Sequence, residues 1–126
     1  MEALCAQSDV VSLHCPLTPD THHLVSTAWL AQMKEGSILI NTGRGPLVDG
    51  HAVAAALHGG HLGADCADGL SEEPARADNP LLSAPRVQLT PHIAWATQEA
   101  RQRLLNCCAD NLAAFIQGKP TNIVNK

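Results

Sequence analysis

The chain has 126 residues, 45% of them hydrophobic, and a formal net charge of −4, enough for one domain around one core. The acidic balance leaves no basic stripe for a phosphate backbone, and Trp29, Trp95 and Phe115 are too few for base stacking, so no nucleic-acid partner is expected. No apolar run approaches the roughly 20 residues that cross a bilayer, and the start Met-Glu-Ala-Leu-Cys has no leader pattern, so the expectation is a cytoplasmic protein with no membrane partner.

In chain order, residues 2–8 read as the end of a helix. Residues 9–14 are a β-rich run closed by Pro16, a first strand. Pro16, Pro19 and Asp20 make a turn. Ser26 can cap a helix over residues 27–33, with Gly36 at its left-handed stop. Residues 37–42 form a second strand, whose unalternating apolar centre suits burial on both faces. Residues 43–46 are a tight turn. Asp49 then caps an Ala-rich helix over residues 52–58, stopped by Gly59-Gly60. Residues 61–67 read as a third strand, and residues 68–85 as a polar loop. Residues 87–90 form a short fourth strand cut by Pro91. Thr97 caps the longest helix, out to Gln117, with Leu104, Cys108, Leu112 and Phe115 on one apolar stripe.

Strands alternating with helices predict an α/β fold with a parallel sheet. No G-x-G-x-x-G occurs, whereas a doubly wound domain has two βαβαβ halves. The chain therefore reads as the C-terminal half of a Rossmann-type dinucleotide-binding domain plus a long C-terminal helix. The five cysteines are odd in number and form no C-x-x-C, so reduced, mostly buried thiols are expected. The seven histidines show no metal-ligand spacing, and no metal is expected.

Ligands of open parallel sheets bind beyond the carboxyl ends of the strands. Polar groups fall at all four ends: His14-Cys15-Pro16, Asn41-Thr42-Gly43-Arg44, Asp68 and His92. An Arg grips a carboxylate with two parallel hydrogen bonds and stays charged. An imidazole gives or takes a proton near neutrality, and a neighbouring carboxylate orients it. Arg44 with a Glu-supported His92 would suit a 2-oxo or 2-hydroxy acid, a nicotinamide cofactor carrying the hydride. Spacing alone leaves blander readings open: Arg44 as a solvated charge, Glu72-Glu73-Pro74 as surface, and His92 as the cap of a strand end.

Four blocks carry a resemblance: residues 8–18 (SDVVSLHCPLT), residues 40–49 (INTGRGPLVD), residues 63–68 with Glu73-Pro74, and residues 90–97 (TPHIAWAT). In order and spacing the chain resembles the D-isomer-specific 2-hydroxyacid dehydrogenases. The P-H-I-A-W-A-T block is most similar to the glycerate dehydrogenase or hydroxypyruvate reductase branch. The resemblance implies a catalytic trio of Arg44, which binds substrate, Glu73, which supports the histidine, and His92, the general acid/base. It implies NAD or NADP contacts at Cys15, Pro16, Thr42, Gly43, Arg44, Asp68, His92, Ala94 and Trp95. It implies a small 2-oxo or 2-hydroxy acid substrate and a homodimer for the full-length family. Residues 1–96 would be a partial NAD(P)-binding domain. Residues 97–126 would be a helix and tail returning to a substrate domain.

Three positions depart from the family pattern: Gly50 weakens a helix start, Gly69 is expected to loosen the loop to Glu73, and Asp65 puts a carboxylate inside a buried strand. The expectation is a truncated dehydrogenase, inactive alone, its first strand an open apolar edge where a further half-sheet would pair. The alternatives are an inert remnant and a dinucleotide-sensing, corepressor-like binding module.

Overall fold

The short apolar runs resolve into four strands: β1 (Val10–Leu13), β2 (Ile38–Asn41), β3 (Ala64–Asp68) and β4 (Val87–Thr90). They lie side by side in the order β1-β2-β3-β4, every pair parallel. The computed structural model describes residues 2–125 and falls into two compact units, Met1–Ile93 and Ala94–Lys126. The helices are α1 (Glu2–Gln7), α2 (Thr27–Leu30), α3 (Gly50–His58) and α4 (Gln98–Ile116), with 3-10 turns at Gly45–Leu47 and Pro80–Leu82. The α/β fold with a parallel sheet and a long C-terminal helix is the one the sequence predicts.

The register lines up one face of the sheet in two rows, Val11–Leu39–Asp65–Val87 and Leu13–Asn41–Ala67–Leu89. This face carries the core. Leu39 is fully buried with Val25, Leu47, Val53, Leu57 and Leu62. Two polar side chains, Asn41 and Asp65, sit among them. The other face is less covered, so β2 is not buried on both sides as its apolar run suggested. Ile38 and Ile40 are only partly buried, while Leu39 and Asn41 are buried.

The caps form where local chemistry requires them. Ser26 accepts the Trp29 amide and Asp49 accepts the His51 and Ala52 amides, each satisfying donors at a helix start. Two elements have one end three residues inside the expected bound. α2 ends at Leu30 because Gln32 and Met33 turn back onto the carbonyls of Trp29 and Leu30, tightening the last turn. β3 starts at Ala64 because residues 59–63 are spent on the turn out of α3, with Gly36 bonded to His61 and Gly63 to Ser37.

In the second unit, Thr97 caps α4 by accepting the Ala100 amide. The expected stripe forms, but α4 has no buried residue: Leu104, Leu112 and Phe115 are exposed. The cysteines are accordingly free but not mostly buried. Only Cys5 is buried, and Cys107 and Cys108 are exposed on α4. Among the described residues no helix is long and apolar enough to cross a membrane.

Candidate active site

Parallel strands share one carboxyl rim, so the turns after β2, β3 and β4 emerge on the same side of the sheet. After β2, the buried Asn41 folds the chain back. Its Oδ1 accepts the Gly43 amide at 3.0 Å, and its Nδ2 donates to the Arg44 carbonyl at 2.9 Å. Arg44 is exposed, and its Nη1 donates to the Gly43 carbonyl at 2.9 Å. The next residue must be glycine. A Cβ on Gly45 would lie 2.1 Å from the Leu70 carbonyl group. This close approach seats the Arg44 turn against the loop that follows β3.

After β3, Asp68 is buried, and its Oδ1 accepts both the Thr90 hydroxyl at 2.6 Å and the Ile93 amide at 2.8 Å. It therefore pins the end of β4 on either side of His92. Gly69 has φ +106°, and a Cβ there would lie 2.3 Å from Glu73 Oε1. Gly69 does not loosen the loop. It makes room for the Glu73 carboxylate, a backbone conformation few other residues accept.

After β4, His92 takes φ +55°, and its amide bonds to the Thr90 carbonyl at 3.0 Å. Its Nδ1 lies 2.8 Å from Glu73 Oε2, with both side chains half-exposed. With Glu73 as a carboxylate acceptor, the shared proton belongs on Nδ1, which leaves Nε2 as the ring nitrogen turned away from Glu73. Nineteen residues apart in sequence, the carboxylate and the imidazole form one pair.

The site residues divide between two grooves. Glu73 and His92 border one of about 450 Å³, with Pro74, Leu82 and Leu89 in its wall. His14, Cys15, Pro16, Gly43 and Arg44 line another of about 480 Å³ across the ends of β1 and β2. Thr42 is exposed but does not line that groove. Ala94 and Trp95 belong to the second unit, and both are exposed. Sequence reasoning placed Asn41 at the rim without its clamp and missed Thr90. A polar residue two before a Gly-Arg turn, and a Thr ending a strand before Pro-His, are the signals that mark them.

The second groove has the size of a ligand pocket, typically about 300–1,000 Å³, and the small residues Cys15, Pro16 and Gly43 share its wall with His14, Leu17 and Arg44. Those features fit a flat nicotinamide ring, so Cys15, Pro16 and Gly43 are the residues that would hold one. Asp65 differs from the other acids. It is 1% exposed and neither of its oxygens has a hydrogen-bond partner. Burial pushes its carboxyl up to about 6.

Residues 1–94 match the model of the D-isomer specific 2-hydroxyacid dehydrogenase, NAD binding domain. Over 126 residues the chain is 44% identical to the hydroxypyruvate reductase of Blautia hydrogenotrophica, covering 100% of this chain and 39% of that protein. It is 45% identical to the glycerate dehydrogenase of Methylorubrum extorquens, covering 98% and 40%. The crystal structure of a glyoxylate reductase from Paecilomyes thermophila superposes with a TM-score of 0.89 at 35% identity, covering 98% and 38%. The chain thus spans about two fifths of the length of the relatives it matches. It belongs to the D-isomer specific 2-hydroxyacid dehydrogenase family, residues 1–94 matching the model of that family's NAD binding domain.

Proposed function

We propose that this chain supplies the acid–base and substrate-holding groups of an NAD- or NADP-dependent dehydrogenase acting on a small 2-oxo or 2-hydroxy acid. Hydroxypyruvate/glycerate and glyoxylate/glycolate are the favoured pairs. The observation that carries this reading is the 2.8 Å Glu73–His92 pair at the rim that also holds the Arg44 turn. Residues 1–96 act as part of the cofactor-binding domain. Residues 97–126 form the helix and tail that return to a substrate domain, and the full-length protein is a homodimer.

When bound, the nicotinamide supplies or takes the hydride. Arg44 swings from its own turn to grip the substrate carboxylate and polarise the C2 oxygen. Protonated His92 gives the Nε2 proton to that oxygen during reduction and recovers it during oxidation. Glu73 is a positioning residue: its bond to Nδ1 keeps the ring oriented. Asp68 keeps the His92 turn in place through Thr90 and Ile93.

The test is a chimera in which residues 1–126 replace the matching segment of the Blautia hydroxypyruvate reductase. It should reduce hydroxypyruvate. His92→Ala should lower kcat by about 10²–10⁴-fold with cofactor affinity little changed. Arg44→Lys should mainly raise KM for the acid, since a bidentate grip is lost. A His92→Ala chimera as fast as its parent would overturn the reading. The 126-residue chain alone should not oxidise the reduced cofactor, because it contains no G-x-G-x-x-G turn to hold a pyrophosphate.

A further inference from the structure

Asp65 stands in the middle of the buried face, between Leu39 and Val87. It is 1% exposed, and both carboxylate oxygens lack a partner. Against it lies a cavity of about 20 Å³, room for a single water-sized species. Asn41, Gly45, Gly69, Leu70 and Ser71 line this cavity. They are the residues that clamp the Arg44 turn, seat it on the loop after β3 and make room for Glu73.

No other charged or titratable side chain lines the cavity. The charged neighbours along the chain are engaged elsewhere. On the α3 side, Asp49 caps the helix. Farther along β3, Asp68 holds Thr90 and Ile93. At the start of β4, Arg86 donates to the carbonyls of Leu57, Leu62 and Gly63. Beyond Ser71, Glu72 faces Arg76 and Glu73 faces His92. Ionised, Asp65 is an uncompensated buried charge, and hydration is its cheapest relief. Asn41, Asp65 and Ala67 are strand, and the rest of the wall is turn, 3-10 segment and the start of α3. Within it the Gly45–Leu70 contact is the tightest backbone approach, so hydration of Asp65 strains that contact first.

We propose that Asp65 is a positioning residue whose protonation closes, and whose ionisation loosens, the contact between the Arg44 turn and the loop carrying Glu73. The coupling is a property of the fold; only its consequence for turnover rests on the catalytic reading above. The upward displacement of the Asp65 carboxyl from 3.8 to about 6 places the change between those two values of pH.

The test follows the full 126-residue chain by NMR, reading the Asp65 carboxyl carbon and amide exchange together. Gly69 and Val48 report on the loosened contact, since their amides bond to the carbonyls of Thr90 and Gly45. Val53, fully buried in α3, reports on global opening. Asp65 should titrate near 6 rather than 4. Gly69 and Val48 should be less protected than Val53, and their protection, corrected for intrinsic rates, should fall as pH rises from about 4 and level off near 6, where Asp65 ionises. The ceiling is about a hundredfold, set by a displacement of roughly two pH units. Asp65→Asn should flatten that fall, and Asp65→Ala serves if the amide does not fold. Three results would each overturn the proposal: Asp65 titrating near 4, wild-type Gly69 and Val48 protection flat with pH, or the same fall in the Asn variant. No turnover is measured, so the outcome is separate from that of the chimera.

Discussion

Met1–Ile93 and Ala94–Lys126 both carry capped helices with apolar faces, and they dispose of those faces differently. The nine-residue α3 buries Ala52, Val53, Ala54 and Leu57. The 19-residue α4 buries nothing, and Leu105, Phe115 and Ile116 are 64%, 70% and 76% exposed. Both helices start from a side-chain cap, so local signals do not separate them. Cover does: α3 lies over a sheet face, while α4 has the stripe without anything that buries it in the described residues. An amphipathic period states which face must be covered and is silent on what covers it.

The largest expected effect tests this contrast directly. Leu57→Ala should cost about 2–5 kcal/mol in a denaturant melt, because it empties a fully buried site. Leu105→Ala should fall within about 0.5 kcal/mol, as at other exposed positions. Equal costs would mean that α4 is covered in solution.

Asp65→Asn comes next and sharpens the picture of the first unit. The folded-state carboxyl, at about 6, binds its proton more tightly than an unfolded one at 3.8. Stability is therefore unaffected by the charge below about pH 4, falls as pH rises through the window up to about 6, and stays lowered above it. The loss is about 3 kcal/mol at most, at roughly 1.4 kcal/mol per pH unit. The Asn variant should be the more stable protein at pH 7.5 and lose the slope. A slope of opposite sign in pH-dependent melts would show that Asp65 finds a cation in solution.

The smallest effect compares caps. Thr97→Ala should cost α4 about 1 kcal/mol, seen as fraying of its first turn in carbon chemical shifts. Asp49→Ala, a cap of similar value, should instead lower the cooperative melting of the whole sheet unit, because α3 is packed into the core. If the Thr97 change moved the main transition as much, the two units would unfold as one.

Much of the fold was legible because its signals are local. β1 and β4 sit where β-rich runs are cut by proline, and Ser26, Asp49 and Thr97 cap where a hydroxyl or carboxylate precedes an apolar period. Residues 61–63 misread as strand because nothing in them shows that Gly36 and Ser37 would take up their backbone groups. The candidate site was legible as a set of residue types at strand ends. The Glu73–His92 distance was not, since it depends on a loop whose course is set by Gly69 and by the seat of Gly45 on Leu70.

By itself, the sequence determined the α/β alternation, the caps, the placing of Arg44 and His92 just after strands, and the oddity of a carboxylate at position 65. Each follows from side-chain type and from the periods of helix and strand, which act over a few residues. Tertiary structure decided that Gly69 is a space for a carboxylate and not a slack joint, and that Asp65 finds no partner under the Arg44 turn. It also decided that the stripe on α4 goes uncovered. These depend on which backbones approach one another across the sheet, and close packing sets those approaches through residues far apart in the chain.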